Sequence, residues 1–452
     1  MNTATEASHP DEIRTGTCPF AGHVAATAGG HDVEVAAPGD LWRDRPIIEA
    51  IDRWSTSDAP EGLALARLVT QHVRGIGQHF LSEPILTRLS EVRRLHGARD
   101  GFLAAFLDTI LDKYDGRYHN RTYLALPLLE RIVDDPRSGL DPVRMSALLM
   151  ADVIRFELAA AGAESERGNA DRPDPLTLRK RITHALRFVA GCRDAATGDQ
   201  LHDREIGLEE LPGSLPTPPP SLAGEWFGLT VQPVYTAHDE YFFIRCLQTH
   251  EMVFTVLAED LRAATRALRA GSFEDALARL NHANAVFARA AMLFRIVATM
   301  RAEQFHAFRE FTQGASAIQS EQYKRFEIAC GEPSAARLES DAFANVPAVK
   351  ADAAAGHDSL SQAYLDTRRD GTFGPREWEL LDARLSRLES AHQRWKSTHR
   401  SIAARMLGAA SGSGHTSGVP YLQQCLSNRL FWQLGDTDLD GAASELSICD
   451  GP

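Results

Sequence analysis

Two histidines interrupt an otherwise apolar stripe near the C-terminus. Trp378, Leu381, Leu385, Leu388, His392, Trp395, His399, Ile402 and Met406 follow one another at alternating spacings of three and four, which puts all nine on one face of a helix. An imidazole among leucines and tryptophans needs a hydrogen-bond partner or a metal for its ring nitrogens. His392 and His399 are seven residues apart, about 10 Å along a helix axis, so one metal ion takes at most one of them. A glycine-rich loop follows, Gly408 to Gly418, in which Gly412, Gly414 and Gly418 permit positive φ and close approach of backbone to a ligand.

Two further constellations carry chemistry. Phe305 and Arg309 are four apart on one helical face. A guanidinium grips a carboxylate in a bidentate fork while the ring stacks on a side chain, a pairing suited to an amino acid. Phe243, Leu247 and His250 stand at i, i+4 and i+7, an aromatic wall with one polar group. Weaker signals are Cys18-Pro19, read as a loop cysteine, and the polar knot YDGRYHNRTY at Tyr114–Tyr123, read as a solvated turn around Asp115-Gly116 in preference to a binding corner. Asp436, Asp438, Asp440 and Gly441 spell the front half of an EF-hand loop, but Ser447 replaces the closing bidentate carboxylate.

These residues fall in motifs that resemble the tryptophan 2,3-dioxygenase family. WKSTH, RMLG and GSGHTSGVPYL, Trp395 to Leu422, are similar without a gap to the family's WRxxH…RxxG…GTGGSSGxxYL. HDEYFFIRCLQTHEMVF, from His238, resembles HDExxFIxxHQxYELWF, and FREFTQGASAIQSEQYKRFE, from Phe308, resembles FREYLxPASGFQSxQFRxxE. The resemblance covers about residues 225–435. It implies an all-α, helical-bundle fold with heme b, His399 as the proximal iron ligand, and Trp395 and Ser316 beside the cofactor. It also implies Arg309 on the substrate carboxylate, Phe243 and Phe305 around the substrate, and Ser413 where the family has the threonine of its substrate loop. The chain departs from the pattern at positions that bear on the chemistry. Leu247 stands where the family has its distal histidine, His250 where it has tyrosine, Lys396 where it has arginine and His415 where it has glycine. Leu247 and His250 are therefore the positions on which the reaction turns.

The elements that must position these groups read as helices throughout. Leu63–Phe80, Phe102–Tyr114, Tyr123–Val133, Asp141–Leu158 and Asp174–Cys192 carry apolar residues at helical spacing, and Asp141-Pro142 and Asp174-Pro175 are strong helix starts. His238–Leu261 and most of Phe273–Thr312 are helical, while 331–373 reads as short helices and loops. The expected domains are a disordered tail at 1–45, a helical N-terminal domain at 46–195 of unknown role, and a proline-rich linker at 196–222. A heme domain at 223–435 and an acidic tail at 436–452 follow.

Hydrophobic residues make up 44% and charged residues 24% of the 452-residue chain, the balance of a soluble globular protein. A net charge of −13 argues against nucleic acid or an anionic membrane as partner. Six cysteines without a CxxC pair read as reduced thiols of a cytoplasmic protein. No secretion signal and no apolar run of about 20 residues is visible.

The resulting expectation is a heme-dependent dioxygenase that uses O2 to open the indole ring of tryptophan or a derivative, in a specialised biosynthetic pathway. The alternatives are a heme monooxygenase or peroxygenase on an aromatic amino acid, and a heme-based or aromatic-ligand sensor. The family resemblance further implies a homo-oligomer, dimer or tetramer, in which N-terminal segments reach a neighbour's site.

Overall fold

The computed structural model describes residues 41–57, 61–117, 119–162, 172–194, 211–312, 314–408, 410–412 and 416–435. Every regular element among them is helical. The first ten helices are α1 (Leu41–Ser55), α2 (Gly62–Ile76), α3 (Glu83–His96), α4 (Gly101–Ile110), α5 (Asn120–Tyr123), α6 (Leu126–Asp134), α7 (Pro142–Gly162), α8 (Pro175–Asp194), α9 (Leu211–Ser214) and α10 (Leu222–Phe227). They are followed by α11 (His238–Arg269), α12 (Phe273–Val297), α13 (Ala302–Thr312), α14 (Glu321–Cys330), α15 (Ala335–Leu338), α16 (Asp341–Ala344), α17 (Pro347–Ala354), α18 (Leu360–Arg369), α19 (Pro375–Leu407) and α20 (Val419–Cys425).

Local chemistry sets the helix starts. Asp100 accepts from Phe102 N and Leu103 N, each at 3.0 Å, and Asp174 from Leu176 N and Thr177 N, also at 3.0 Å. These side chains satisfy amides that a first turn leaves without partners. The helical pattern expected from Phe273 to Thr312 is cut: α12 and α13 meet at 106°. Side chains from other helices hold the break. Asp239 accepts from Arg301 N at 3.0 Å, and Arg181 Nε donates to Thr299 Oγ1 at 3.0 Å. The turn carries Phe305 and Arg309 toward α11 and α19.

Two hydrophobic cores result, and both run through α7 and α11. Met145, Leu148 and Leu149 of α7 enter one with Phe106, Leu129, Trp226 and Ile244. Met150, Val153 and Ile154 of the same helix enter the other with Phe188, Leu257, Phe287 and Leu385. Residues from Trp42 onward form one compact unit, so the proline-rich stretch does not separate the helices before it from those after it. Arg181 on α8 pairs with Glu157 on α7 at 2.5 Å and Asp239 on α11 at 3.1 Å, all three side chains at most 1% exposed. Removing one member of such a group leaves a buried charge uncompensated, at a cost of ~3–5 kcal/mol.

Helix α1 begins at Leu41, inside the stretch read from sequence as tail, and α3 was not foreseen from the apolar spacing. Short helices fill 335–354 as expected, around a small core of Ile328, Phe343 and Val349. Residues 1–40 of the expected tail at 1–45, with Cys18-Pro19, the expected tail at 436–452 and the partial EF-hand lie outside the described residues. Among the described residues no single helix is long and apolar enough to cross a membrane.

Candidate active site

Helices α11, α12, α13 and α19 enclose two adjoining cavities of about 190 and 140 Å³. His250, Leu247 and His399 border both. Helix α19 places Trp378, Leu381, Leu385, Leu388, His392 and Met406 of the stripe in the core, while Trp395, His399 and Ile402 are only half-buried because they face the cavities.

The two histidines of the stripe have different surroundings. His392 Nε2 shares a hydrogen bond with the Tyr323 hydroxyl at 2.9 Å, and Glu389 Oε1 lies 4.0 Å from its Nδ1. His399 has no hydrogen bond among the described residues. Its ring lies 5.5 Å from that of Phe294, stacked at 18°, and 6.0 Å from Trp395. Burial pushes its pKa down to about 4, so it is a neutral imidazole with free nitrogens on a cavity wall.

Opposite it, α11 presents Phe243, Leu247 and His250. His250 Nδ1 lies 2.9 Å from the Cys246 carbonyl oxygen; a carbonyl only accepts, so Nδ1 carries the proton. The other nitrogen, Nε2, is buried with no partner. Burial, and secondarily the neighbouring His399, depress the His250 pKa to about 4. At neutral pH Nε2 is therefore a bare lone pair.

The first cavity is bordered by Phe243, Phe305, Arg309, Ser316 and Thr416. The Arg309 guanidinium carbon lies 6.0 Å from the Phe305 ring centroid, and Nη2 donates to the Ser411 carbonyl. The arginine is thus tied to the glycine-rich loop. That loop closes on itself, with Gly412 N bonded to Thr416 O at 2.9 Å. A Cβ on Gly412 would collide with Thr416 Oγ1 and lie 2.9 Å from Gly418 Cα, and Gly418 has φ +73°. These two glycines serve the crossing of the loop. Ser413 and His415 lie outside the described residues. Ser316 Oγ caps the turn before α14, accepting from Ile318 N at 3.4 Å.

The second cavity has a basic end built of Lys324, Arg337 and Lys396. Glu327 faces the first two, at 3.1 Å from Lys324 Nζ and 2.6 Å from Arg337 Nε. Lys396 Nζ donates to main-chain carbonyls, those of Cys425 at 2.9 Å, Leu426 at 3.4 Å and Asn428. Burial lowers Lys324 and Lys396 to about 8 each, which leaves both mainly charged at neutral pH. Three cations against two carboxylates, Glu327 and Glu389, leave a net positive charge that suits an anionic ligand. Trp395 borders this cavity with its Nε1–H buried and unpartnered.

Four of the residues read from sequence thus share one cavity: Phe243, Phe305, Arg309 and Ser316. His399, Leu247 and His250 border both, and Trp395 the second alone. Sequence reading missed Asn120 and Tyr123, which reach the first cavity from the polar knot before α6, as well as Thr416, Lys324 and Arg337. Thr416 lay in plain view in the GSGHTSG motif; Asn120 carried no local signal that set it apart from a solvated turn.

Residues 229–354 match the family model described as tryptophan 2,3-dioxygenase. The chain is 30% identical over 248 residues to a tryptophan 2,3-dioxygenase of Polaromonas sp., covering 46% of this chain and 83% of that protein. It is 27% identical over 306 residues to the tryptophan 2,3-dioxygenase of Bordetella parapertussis, covering 59% and 100%, and 27% identical over 260 residues to that of Cupriavidus necator, covering 48% and 87%. Matches of this extent, with an all-helical fold and both histidine-bearing helices facing one site, show that the chain belongs to the tryptophan 2,3-dioxygenase family.

Proposed function

We propose that the protein is a heme-dependent dioxygenase that inserts oxygen into the indole ring of tryptophan or a tryptophan derivative, in a specialised biosynthetic role. One observation carries this reading: His399 is a neutral imidazole with no hydrogen bond among the described residues, and it borders the same cavity as Arg309. An imidazole among aromatic rings needs a hydrogen-bond partner or a metal for its ring nitrogens, and heme iron, if bound, would be held by this one. The remaining lining fits heme as well. Phe294, Leu247 and Ile318 offer apolar walls, and Lys324, Arg337 and Lys396 offer charges for two propionates. Bound heme would supply the iron at which dioxygen is activated.

The chain's own residues orient the substrate. Arg309 binds its carboxylate, and the loop carbonyl of Ser411 keeps the guanidinium in place. Phe243 and Phe305, packed edge to face with ring centroids 6.0 Å apart at 72°, form one wall against which the aromatic ring of the substrate rests. Leu247 gives no proton and accepts none, so the wall opposite His399 excludes water and leaves reaction to placement. His250 Nε2 is an acceptor only.

Oxygenation in labelled O2 tests the reading. Two labelled atoms in a ring-opened product support it. A single labelled atom would replace it with monooxygenation, and failure to take up hemin would remove it. A cytoplasmic homo-oligomer is part of this proposal, with assembly checked by light scattering on the purified protein.

A further inference from the structure

A planar aromatic substrate with a ring N–H brings a hydrogen-bond donor into a cavity walled by Phe243, Leu247 and Phe305. A buried donor needs an acceptor. On the helix that faces His399, the position beside the substrate is Leu247, which has none. Asn120 of α5 borders both cavities together with Leu247. It is 3% exposed, and its carboxamide makes no hydrogen bond among the described residues.

Three bonds hold α5 there. Asn120 N donates to Gln319 Oε1 at 2.8 Å, Tyr123 OH to Glu240 Oε1 at 3.3 Å, and Gln248 Nε2 to the Leu124 carbonyl at 2.8 Å. Gln248 is the residue next to Leu247, so the helix that lacks the polar group also fixes the segment that carries one. The Asn120 bond uses its main chain, which leaves the side-chain oxygen and amide free toward the cavity.

Among the described residues that border both cavities, His250 Nε2 is another unpaired acceptor. Its ring, however, lies among Phe294 at 5.3 Å, Trp395 at 6.1 Å and Phe254 at 6.3 Å, and Phe294 and Trp395 also flank His399. His250 therefore belongs to the cofactor side, whereas Asn120 adjoins Tyr123 and the Ser316 turn of the substrate side.

We infer that Asn120 is a specificity-determining residue whose carboxamide oxygen accepts the ring N–H of the substrate. The inference rests on the proposed indole-directed function.

The test uses the full-length, heme-loaded protein and equilibrium binding of tryptophan and 1-methyltryptophan, read from the heme absorbance shift. Wild type is expected to bind tryptophan on the order of 10- to 100-fold more tightly, the scale of one buried hydrogen bond. In Asn120→Ala and the near-isosteric Asn120→Leu that preference collapses, through weaker tryptophan binding with 1-methyltryptophan held or improved. Heme content and circular dichroism equal to wild type exclude misfolding as the cause. An unchanged preference in both variants overturns the inference, as does a preference lost in His250→Phe and kept in Asn120→Leu. If wild type takes up heme but neither indole shifts its spectrum, the indole reading itself fails and this inference with it.

Discussion

The Nε2 atom of His392 lies 2.9 Å from the hydroxyl of Tyr323, and this bond separates two histidines that spacing alone leaves equivalent. Tyr323 stands where the family motif has phenylalanine. Its hydroxyl satisfies His392 Nε2, and Glu389, held near a pKa of about 2 against burial by the nearby His392 and by hydrogen bonds from Phe431 N and Gln393, lies 4.0 Å from Nδ1 and closes the cluster. His399, seven residues further on, has nothing comparable. Iron ligation is therefore expected at His399 alone. His399→Ala should lose the absorbance of a histidine-ligated heme. His392→Phe should keep it while losing ~1–3 kcal/mol of stability, the cost of stranding the tyrosine. A normal heme spectrum in His399→Ala would show that the register is wrong.

Arg309 is expected to discriminate by carboxylate. Truncating one partner of a partly buried charge pair costs ~2–5 kcal/mol, so Arg309→Leu should bind tryptophan some 30-fold or more weakly by that scale. Binding of tryptamine, which has no carboxylate, should change by less than about threefold. Part of any loss common to both ligands belongs to the bond with Ser411, which shapes the loop. Equal losses for the two would mean that Arg309 serves the loop only.

Leu247 and His250 separate two oxidative chemistries. In a dioxygenase that works by placement, Leu247→His alters turnover modestly and His250→Ala keeps it within a few-fold. A peroxide-driven monooxygenase needs a group that assists O–O cleavage, and His250 Nε2 is the one bare base on that helix face. There His250→Ala would cost on the order of 10²-fold or more. Turnover of both variants with O2 and with peroxide decides, and the expected result is activity of His250→Ala within a few-fold of wild type with O2.

Glu251 gives a pH signature. It is 3% exposed, and burial raises its pKa to about 7. Between about pH 4.5 and 7 the folded protein keeps a proton that the unfolded chain has released, so this group's contribution to stability falls as pH rises through that window. Glu251→Gln removes the term. The variant's stability relative to wild type should climb by about 1.4 kcal/mol per pH unit across the window, measured by urea denaturation at pH 5 and pH 7. A difference that does not vary with pH would mean Glu251 is ionised in the fold.

Much of this was legible in the residues. Helix starts at Asp141 and Asp174, the stripe of α19 and the face shared by Phe305 and Arg309 are local patterns, and local patterns survive folding. What could not be read depended on distance along the chain. The break between α12 and α13 is held by Arg181 and Asp239, more than sixty residues upstream of it. The basic end of the second cavity joins Lys324 and Arg337 to Lys396 across a helix whose pattern names none of them. Asn120 looked like a turn residue because its partners, Gln319 and the cavity, lie in another part of the sequence. The proline-rich stretch signalled a boundary by composition, yet α7 packs on α11 through apolar faces that cover both sides of it.

That sharing of α7 and α11 between two cores has a consequence for biogenesis. The site's walls come from residues near 120, 250, 310 and 400, so no fragment translated early can hold the cofactor. Pigment capture then reports completion of the whole chain, and a strain limited for heme should accumulate full-length apoprotein instead of half-loaded intermediates. Cutting the gene at the prolines to make a minimal catalyst would strip the apolar flank from α11 and yield insoluble material.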